Sequence, residues 1–163
     1  MYLLDANIFI QSHKEHYNMN VFPCFWAKLV DLARQGVVYT LDKVEQEVMV
    51  VGDSVAAWLR NHFPPENILA LDDSTYAAYQ KVMDDVNALG RYSLPALAGF
   101  ANPDIADPFL CAYAMSHIDC SVVTYEKSDK NRIKKVMLPD VCELERVPCS
   151  DVIPMLLSLG VRF

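Results

Sequence analysis

The sequence predicts an α/β fold, a three-layer α/β/α sandwich around a central, mainly parallel sheet, and three observations carry that expectation. Short apolar runs of strand type at residues 2–4, 37–40, 68–71 and 121–124 alternate with stretches of helical spacing. That alternation implies parallel strands joined by helices packed on both faces of the sheet. Hydrophobic residues make up 53% of the chain and charged residues only 21%, which suits a packed core and argues against disorder. At 163 residues, the whole chain, 1–163, fits a single domain.

The chain opens with MYLLDANIFI, in which Tyr2, Leu3 and Leu4 read as a short buried strand with Asp5 at its exit. Ligands of open α/β sheets bind beyond the carboxyl ends of strands, so a carboxylate there is a candidate for chemistry. Helical spacing starts at Pro23, a favoured first-turn residue, and runs through Phe25, Trp26, Leu29, Val30 and Leu32 to Gly36. The β-rich run 37–40 follows, and Asp42 is placed to cap a helix over 43–50 that carries Val44, Glu47 and Val48 and breaks at Gly52. Asp53 or Ser54 caps the next helix, which ends near Pro64 and Pro65. Residues 68–71 form a short strand, and Ser74 caps a helix bearing Tyr76, Tyr79, Val82, Met83 and Val86 before Gly90. A loop over 91–95 leads into a short apolar helix ending at Phe100, and Asn102-Pro103 marks a turn. Asp107 followed by Pro108 has the form of an N-cap with proline at the first helical position, opening a helix to His117. Residues 121–124 are a buried strand, 125–135 a polar loop and 136–138 a short strand, with a small helix after Pro139. A last amphipathic helix spans 151–159 and stops at Gly160.

Composition narrows the function classes. No apolar run approaches the roughly 20 residues of a membrane span. The N-terminus shows no basic region, apolar stretch of signal length or cleavage site, so the expected location is the cytoplasm, away from membranes. The five cysteines, Cys24, Cys111, Cys120, Cys142 and Cys149, form an odd set without a C-x-x-C pair, which favours buried free thiols over disulfides or zinc. His13 and His16 stand three apart, but without a third ligand nearby they read as a solvated loop pair. A net charge of −7 sits awkwardly with a phosphate-bearing partner. Five of the fourteen basic residues, however, fall within 127–135: Lys127, Lys130, Arg132, Lys134 and Lys135. Bound cations would also offset the charge of clustered acids.

Four acids are distinguished by their places. Asp5 and Glu126 lie at or just past strand exits, Glu47 lies on a helix face and Asp107 begins a helix. These places converge at the carboxyl edge of a parallel sheet if the strands bearing Asp5 and Glu126 are neighbours, a condition the sequence leaves open. Crowded carboxylates repel one another and demand cations or protons. Oxygen-only ligation suits Mg²⁺ or Mn²⁺, and two such ions about 3.5 to 4 Å apart can clamp a phosphoryl displacement. Each acid also has an ordinary reading: Asp107 as a helix cap, Glu47 as a solvated helix residue, Asp5 as a strand-exit turn and Glu126 as a loop charge. Asn7 and Thr124 are suited to hydrogen-bonding the adjacent carboxylates or the local backbone.

Four segments, LLDANIFI, VEQEV, ADPFLCAYA and VVTYEK, resemble in order and spacing the PIN-domain family, small metal-dependent ribonucleases that include the VapC toxins of toxin-antitoxin pairs. The resemblance covers the whole chain and extends to a poorly characterised PIN-like subfamily, whose pattern is echoed in FPCFW, LPDVC and IPMLLSLGVRF. It implies Asp5, Glu47 and Asp107 as catalytic, metal-binding carboxylates, with Glu126 as the fourth, where PIN proteins usually carry Asp in a Thr-x-Asp motif. The longer Glu126 side chain is a departure that moves this carboxylate outward by one methylene or behind a water. Asn7 and Thr124 match the small polar positions that orient the cluster, and Asp104, one helical turn before Asp107, is a supporting acid. Asp129 and Glu45 are further substitutes.

The implied activity is endoribonucleolytic hydrolysis with Mg²⁺ or Mn²⁺, leaving 5'-phosphate and 3'-hydroxyl ends. RNA is the implied substrate, an antitoxin protein the implied partner and a homodimer the implied assembly. Lys127, Lys130 and Arg132 would position the RNA backbone. Phe22, Phe25 and Trp26 are candidates for a dimer interface, with core packing the competing role. A rival from another class is a non-catalytic PIN-like interaction module whose acids only cap helices. A haloacid-dehalogenase-type phosphatase ranks last, because it requires a second Asp where this chain has Asn7.

Overall fold

The computed structural model describes residues 1–51 and 54–163. The first half contains β1 (Tyr2–Leu4), α1 (Ala6–Gln11) running on into a π-helical turn (Ser12–His16), α2 (Pro23–Arg34), β2 (Val38–Leu41), α3 (Asp42–Val51) and α4 (Ser54–His62). The second contains β3 (Ile68–Leu69), α5 (Asp73–Ala88), α6 (Leu94–Phe100), α7 (Asp107–Ser116), β4 (Ser121–Val123), α8 (Leu138–Leu144), β5 (Cys149–Ser150) and α9 (Val152–Ser158). All pairings are parallel, and the five strands run in the order β3-β2-β1-β4-β5. With helices flanking this sheet, the architecture is the expected three-layer α/β/α sandwich.

The strand order satisfies the condition that the sequence left open. β1 lies between β2 and β4, with Tyr2, Leu3 and Leu4 opposite Ser121, Val122 and Val123. The chain leaves β1 to build one half of the sheet and returns on its other side, so the β1 and β4 exits flank a topological switch point. The ladder continues past the strand ends: Asp5 N donates to Val123 O at 3.0 Å and Thr124 N to Ser150 O at 3.0 Å. The exits carrying Asp5 and Glu126 are thereby fixed side by side.

One continuous set of buried residues forms the core, from Leu3 and Leu4 through Leu29, Val38 and Leu110 to Met155. Leu4 is fully buried, and its truncation to alanine would cost roughly 2–5 kcal/mol. Helix α7 is buried along almost its whole length, from Pro108 to Ala114, and packs against α5 with Phe109 stacked on Tyr79. Helix α2 follows from its sequence: Pro23 opens it, Phe25, Trp26, Leu29 and Leu32 face the core, and Gly36 at φ 69° ends it.

Several local expectations are corrected. No strand forms over 136–138; Val136 and Met137 are buried coil and Leu138 begins α8, because Pro139 at the second helical position favours a helix start. Asp72, not Ser74, caps α5, accepting from Thr75 N at 2.8 Å, and Ser74 is already helical. Residue Asp42 is the first residue of α3 rather than the residue before it. The N-cap of α7 is Ala106, so Asp107 lies inside the helix and caps nothing. His13 and His16 belong to the π-helical turn, where His13 Nδ1 accepts from Met19 N at 3.3 Å, so they are not a loop pair. All five cysteines are free, but Cys24 is exposed and Cys149 only partly buried. Of the three aromatics considered for an interface, Phe25 and Trp26 are core residues and only Phe22 is exposed. The expected break at Gly52 and cap at Asp53 lie outside the described residues. Among the described residues, no helix is long and apolar enough to cross a membrane.

Candidate functional site

At the carboxyl edge of β1 and β4 lies a cavity of about 490 Å³, walled by Asp5, Asn7, Glu47, Asp107, Glu126, Lys134 and Lys135 on its polar side. Ile10, Phe100 and Ile105 supply part of its apolar wall. Four acids from four separate elements thus meet in one place. Each is delivered by a local feature of the fold.

Asp5 occupies the N-cap position of α1 yet makes no cap hydrogen bond. Its Oδ2 instead accepts from Asn7 Nδ2 at 2.5 Å and Thr124 Oγ1 at 2.7 Å. Thr124 Oγ1 accepts in turn from Asn7 Nδ2 at 2.8 Å and Glu126 N at 3.1 Å, while Asn7 Oδ1 accepts from Tyr125 N at 2.9 Å. Asn7 and Thr124 therefore staple the β1 exit to the β4 exit and orient Asp5.

Helix α3 pins the segment that leads into α7. Lys43 Nζ donates to Pro103 O at 3.0 Å, and Glu47 Oε1 accepts from Ala106 N at 2.6 Å. Glu47 is consequently half-buried against the α7 N-terminus rather than solvated. Asp107 follows directly, lines the cavity and makes no side-chain hydrogen bond among the described residues. Glu126 is engaged at both oxygens: Oε1 accepts from Lys135 Nζ, and Oε2 accepts from Leu138 N, at the start of α8, at 3.0 Å.

The electrostatics divide along the same lines. Burial pushes the Asp5 carboxyl up to about 7; the Thr124 hydrogen bond opposes that rise, and the nearby charges of Glu126 and Glu47 add to it. Asp107 is held well above the ordinary carboxylate range, first by burial and then by the charges of Asp5, Glu126 and Glu47. Burial also raises Glu47, against the Ala106 hydrogen bond and the Lys135 charge, which lower it. Partial burial works against the Lys135 ammonium, but the hydrogen bond and charge of Glu126, with Asp107 and Asp5 behind it, hold its pKa above the usual value. An excess of acidic over basic groups is the defining property of this cavity.

The other acids and bases named from sequence lie elsewhere. Asp104 and Asp129 are exposed, Glu45 is only partly so, and none of them lines the cavity. Lys127 pairs with Asp151 at 2.5 Å and Lys130 with Glu143 at 2.6 Å, while Arg132 Nη1 contacts Met137 Sδ at 3.7 Å. None of these three bases lines the cavity. The two that do, Lys134 and Lys135, close the same basic run. Their signal in the sequence was the apolar residues immediately following, Val136 and Met137, where the chain re-enters the core.

The donors fit a hard divalent cation in kind and in charge, being all oxygen and all acidic. They do not form a preformed cage: among the described residues, no group of three or more His, Cys, Asp or Glu side chains stands ready to hold a metal ion. A family model described as a domain of unknown function (DUF4411) matches residues 2–163. No curated protein and no solved structure matches the chain.

Proposed function

We propose that this chain, which belongs to the DUF4411 family, is an endoribonuclease that hydrolyses RNA phosphodiester bonds with Mg²⁺ or Mn²⁺. One observation carries the reading: buried Asp5 and half-buried Asp107 are held at the switch point of a parallel sheet in surroundings that penalise their charge. Carboxylates kept under such repulsion are poor structural elements and good cation ligands. Asp5, Glu47 and Asp107 would hold the ion directly, with Glu126 completing the negative charge. Bound there, the ion would stabilise charge on a phosphoryl oxygen and make water a competent nucleophile near neutral pH.

The protein's own groups have distinct parts in this scheme. Asn7 and Thr124 fix the Asp5 carboxylate through its Oδ2. Lys134 holds the nucleic-acid backbone at the cavity, which it lines, whereas Lys127 and Lys130 lie outside it and are ion-paired. Ile10, Phe100 and Ile105 restrict water on the far wall. The proposal extends, on the resemblance of the motifs, to a cytoplasmic toxin that pairs with an antitoxin protein and assembles as a homodimer. Exposed Val21, Phe22 and Phe163 are among the apolar residues available for such contacts.

Incubation of single-stranded RNA with the protein and Mn²⁺ should give products with 5'-phosphate ends, and chelation should stop the reaction. No cleavage by wild type under any divalent ion, or unchanged cleavage by D5N, would sink the assignment. The second reading, a non-catalytic interaction module, draws on the engagement of both Glu126 oxygens and the lack of a ready-made cage among the described residues. It predicts no change in melting temperature with Mn²⁺.

A further inference from the structure

We propose that Lys135 is the resident counter-ion of the carboxylate cavity, tethered there by Glu126, and that its ammonium restricts the site to one divalent cation. This inference rests on the proposed metal-dependent reading.

The geometry around residue 126 motivates it. Glu126 reaches past the β4 exit and is bound at both oxygens, one by the Lys135 ammonium and the other by Leu138 N. Its side chain is only 12% exposed. A carboxylate so occupied is better suited to anchoring a cation than to releasing one. The extra methylene over aspartate also gains a purpose: it spans from the β4 exit to the start of α8 while holding the lysine beside Asp5 and Asp107.

Lys135 itself is not an ordinary loop lysine, although 53% of its side chain is exposed. It lines the cavity, and its charge acts on Glu47 and Asp107 as well as on Glu126. The loop that carries it is fastened at several points. Arg91 donates to Lys130 O at 3.1 Å and to Asp140 Oδ2 at 3.0 Å, Ser128 Oγ donates to Asp140 Oδ1 at 2.5 Å, and Ser93 N donates to Ile133 O at 2.9 Å. Buried Val136 then fixes the next residue. A surface ion pair would give the cavity little, because solvent screens it and side-chain entropy opposes it. A fastened ammonium among three further carboxylates offsets charge that a second divalent ion would otherwise neutralise.

The test is Mn²⁺ titration by calorimetry into wild type, K135M, K135Q and E126Q at pH 7.5, with melting temperature and RNA cleavage followed in parallel. Wild type should bind one Mn²⁺ per chain. Both Lys135 variants should bind a second ion or bind the first at least about tenfold more tightly, since a competing positive charge is removed. K135Q keeps a neutral hydrogen-bond donor at this half-exposed position if K135M folds poorly. E126Q should keep the single ion while losing melting temperature, because a neutral amide no longer pairs with the Lys135 ammonium. Equal stoichiometry and affinity in wild type and both Lys135 variants, or loss of Mn²⁺ binding in E126Q, would overturn the inference while leaving the metal-dependent reading intact. Failure of every protein to bind Mn²⁺ would overturn both.

Discussion

Asp72, which caps α5, and Asp107, the first residue of α7, live opposite lives. At the start of α5, Asp72 is exposed and accepts from Thr75 N and Oγ1 and from Ser74 Oγ. Those hydrogen bonds, with His117 nearby, hold its carboxyl far below the ordinary range. At the start of α7, Asp107 lies one residue inside the helix, caps nothing and is held far above that range by burial and by neighbouring carboxylates. A helix N-terminus favours negative charge, so the raised Asp107 persists against the local dipole. One aspartate works for the fold. The other is kept at the fold's expense, and such a conflict between local rule and global structure is the expected mark of a functional position.

The difference is open to direct attack. The largest effect should come from D5N and D107N, which should each reduce Mn²⁺-dependent RNA cleavage by more than about 100-fold, because even outer-shell partners of a metal ligand commonly contribute 10–100-fold. D72A assayed beside them should cleave RNA like wild type; if it loses as much as D107N, the two aspartates are not different in kind. Next in size are N7A and T124V, which remove the clamp on Asp5 and should weaken cleavage by about 10–100-fold while the fold persists by circular dichroism.

The pH dependence of stability should separate the same pair. The folded pKa of Asp5, about 7, exceeds the ordinary unfolded value near 4. The folded state therefore takes up the proton more readily, and the stabilisation present below about pH 4 is lost as pH rises through 7. For Asp5 that loss is on the order of a few kcal/mol in the absence of divalent ions. D5N and D107N should thus melt higher than wild type at pH 8 by a margin that shrinks towards pH 4. Asp72 has the opposite sign: its depressed folded pKa contributes stability above the unfolded value that is lost as pH falls. D72A should show the smallest effect, a loss of a few degrees in melting temperature at neutral pH that diminishes in acid.

Much of the frame was legible in the sequence because hydrophobic periodicity and punctuation report it. Pro23 and Gly36 bracket α2, and Pro108 marks the start of α7. The adjacency of β1 and β4 was not legible, since strand order follows from packing of the whole sheet rather than from any local pattern. Helix α1 was invisible for another reason: its Ala6, Ile8 and Phe9 are all buried, so they read as a continuation of the apolar opening run. Strand β5 has only two residues and is defined by its pairing with Val122 and Val123. The four acids of the site were named from their places at strand exits, on a helix face and at a helix start, together with the resemblance to the PIN-domain motifs. Sequence could not reveal that Glu126 is engaged by Lys135, because that partner lies across a loop whose shape is set by Arg91 and Asp140. For the same reason, the basic run suggested Lys127, Lys130 and Arg132, whereas Lys134 and Lys135 are the residues that reach the cavity.

The most direct measurement is the melting temperature of wild type and D107N at pH 8, each with and without millimolar Mn²⁺. If Asp107 is held for a cation, wild type should start lower than D107N and rise on adding Mn²⁺, while D107N should rise little or not at all. Equal melting temperatures without the ion, together with no response of wild type to Mn²⁺, would show Asp107 to be one more element of the fold and contradict the cation-site reading.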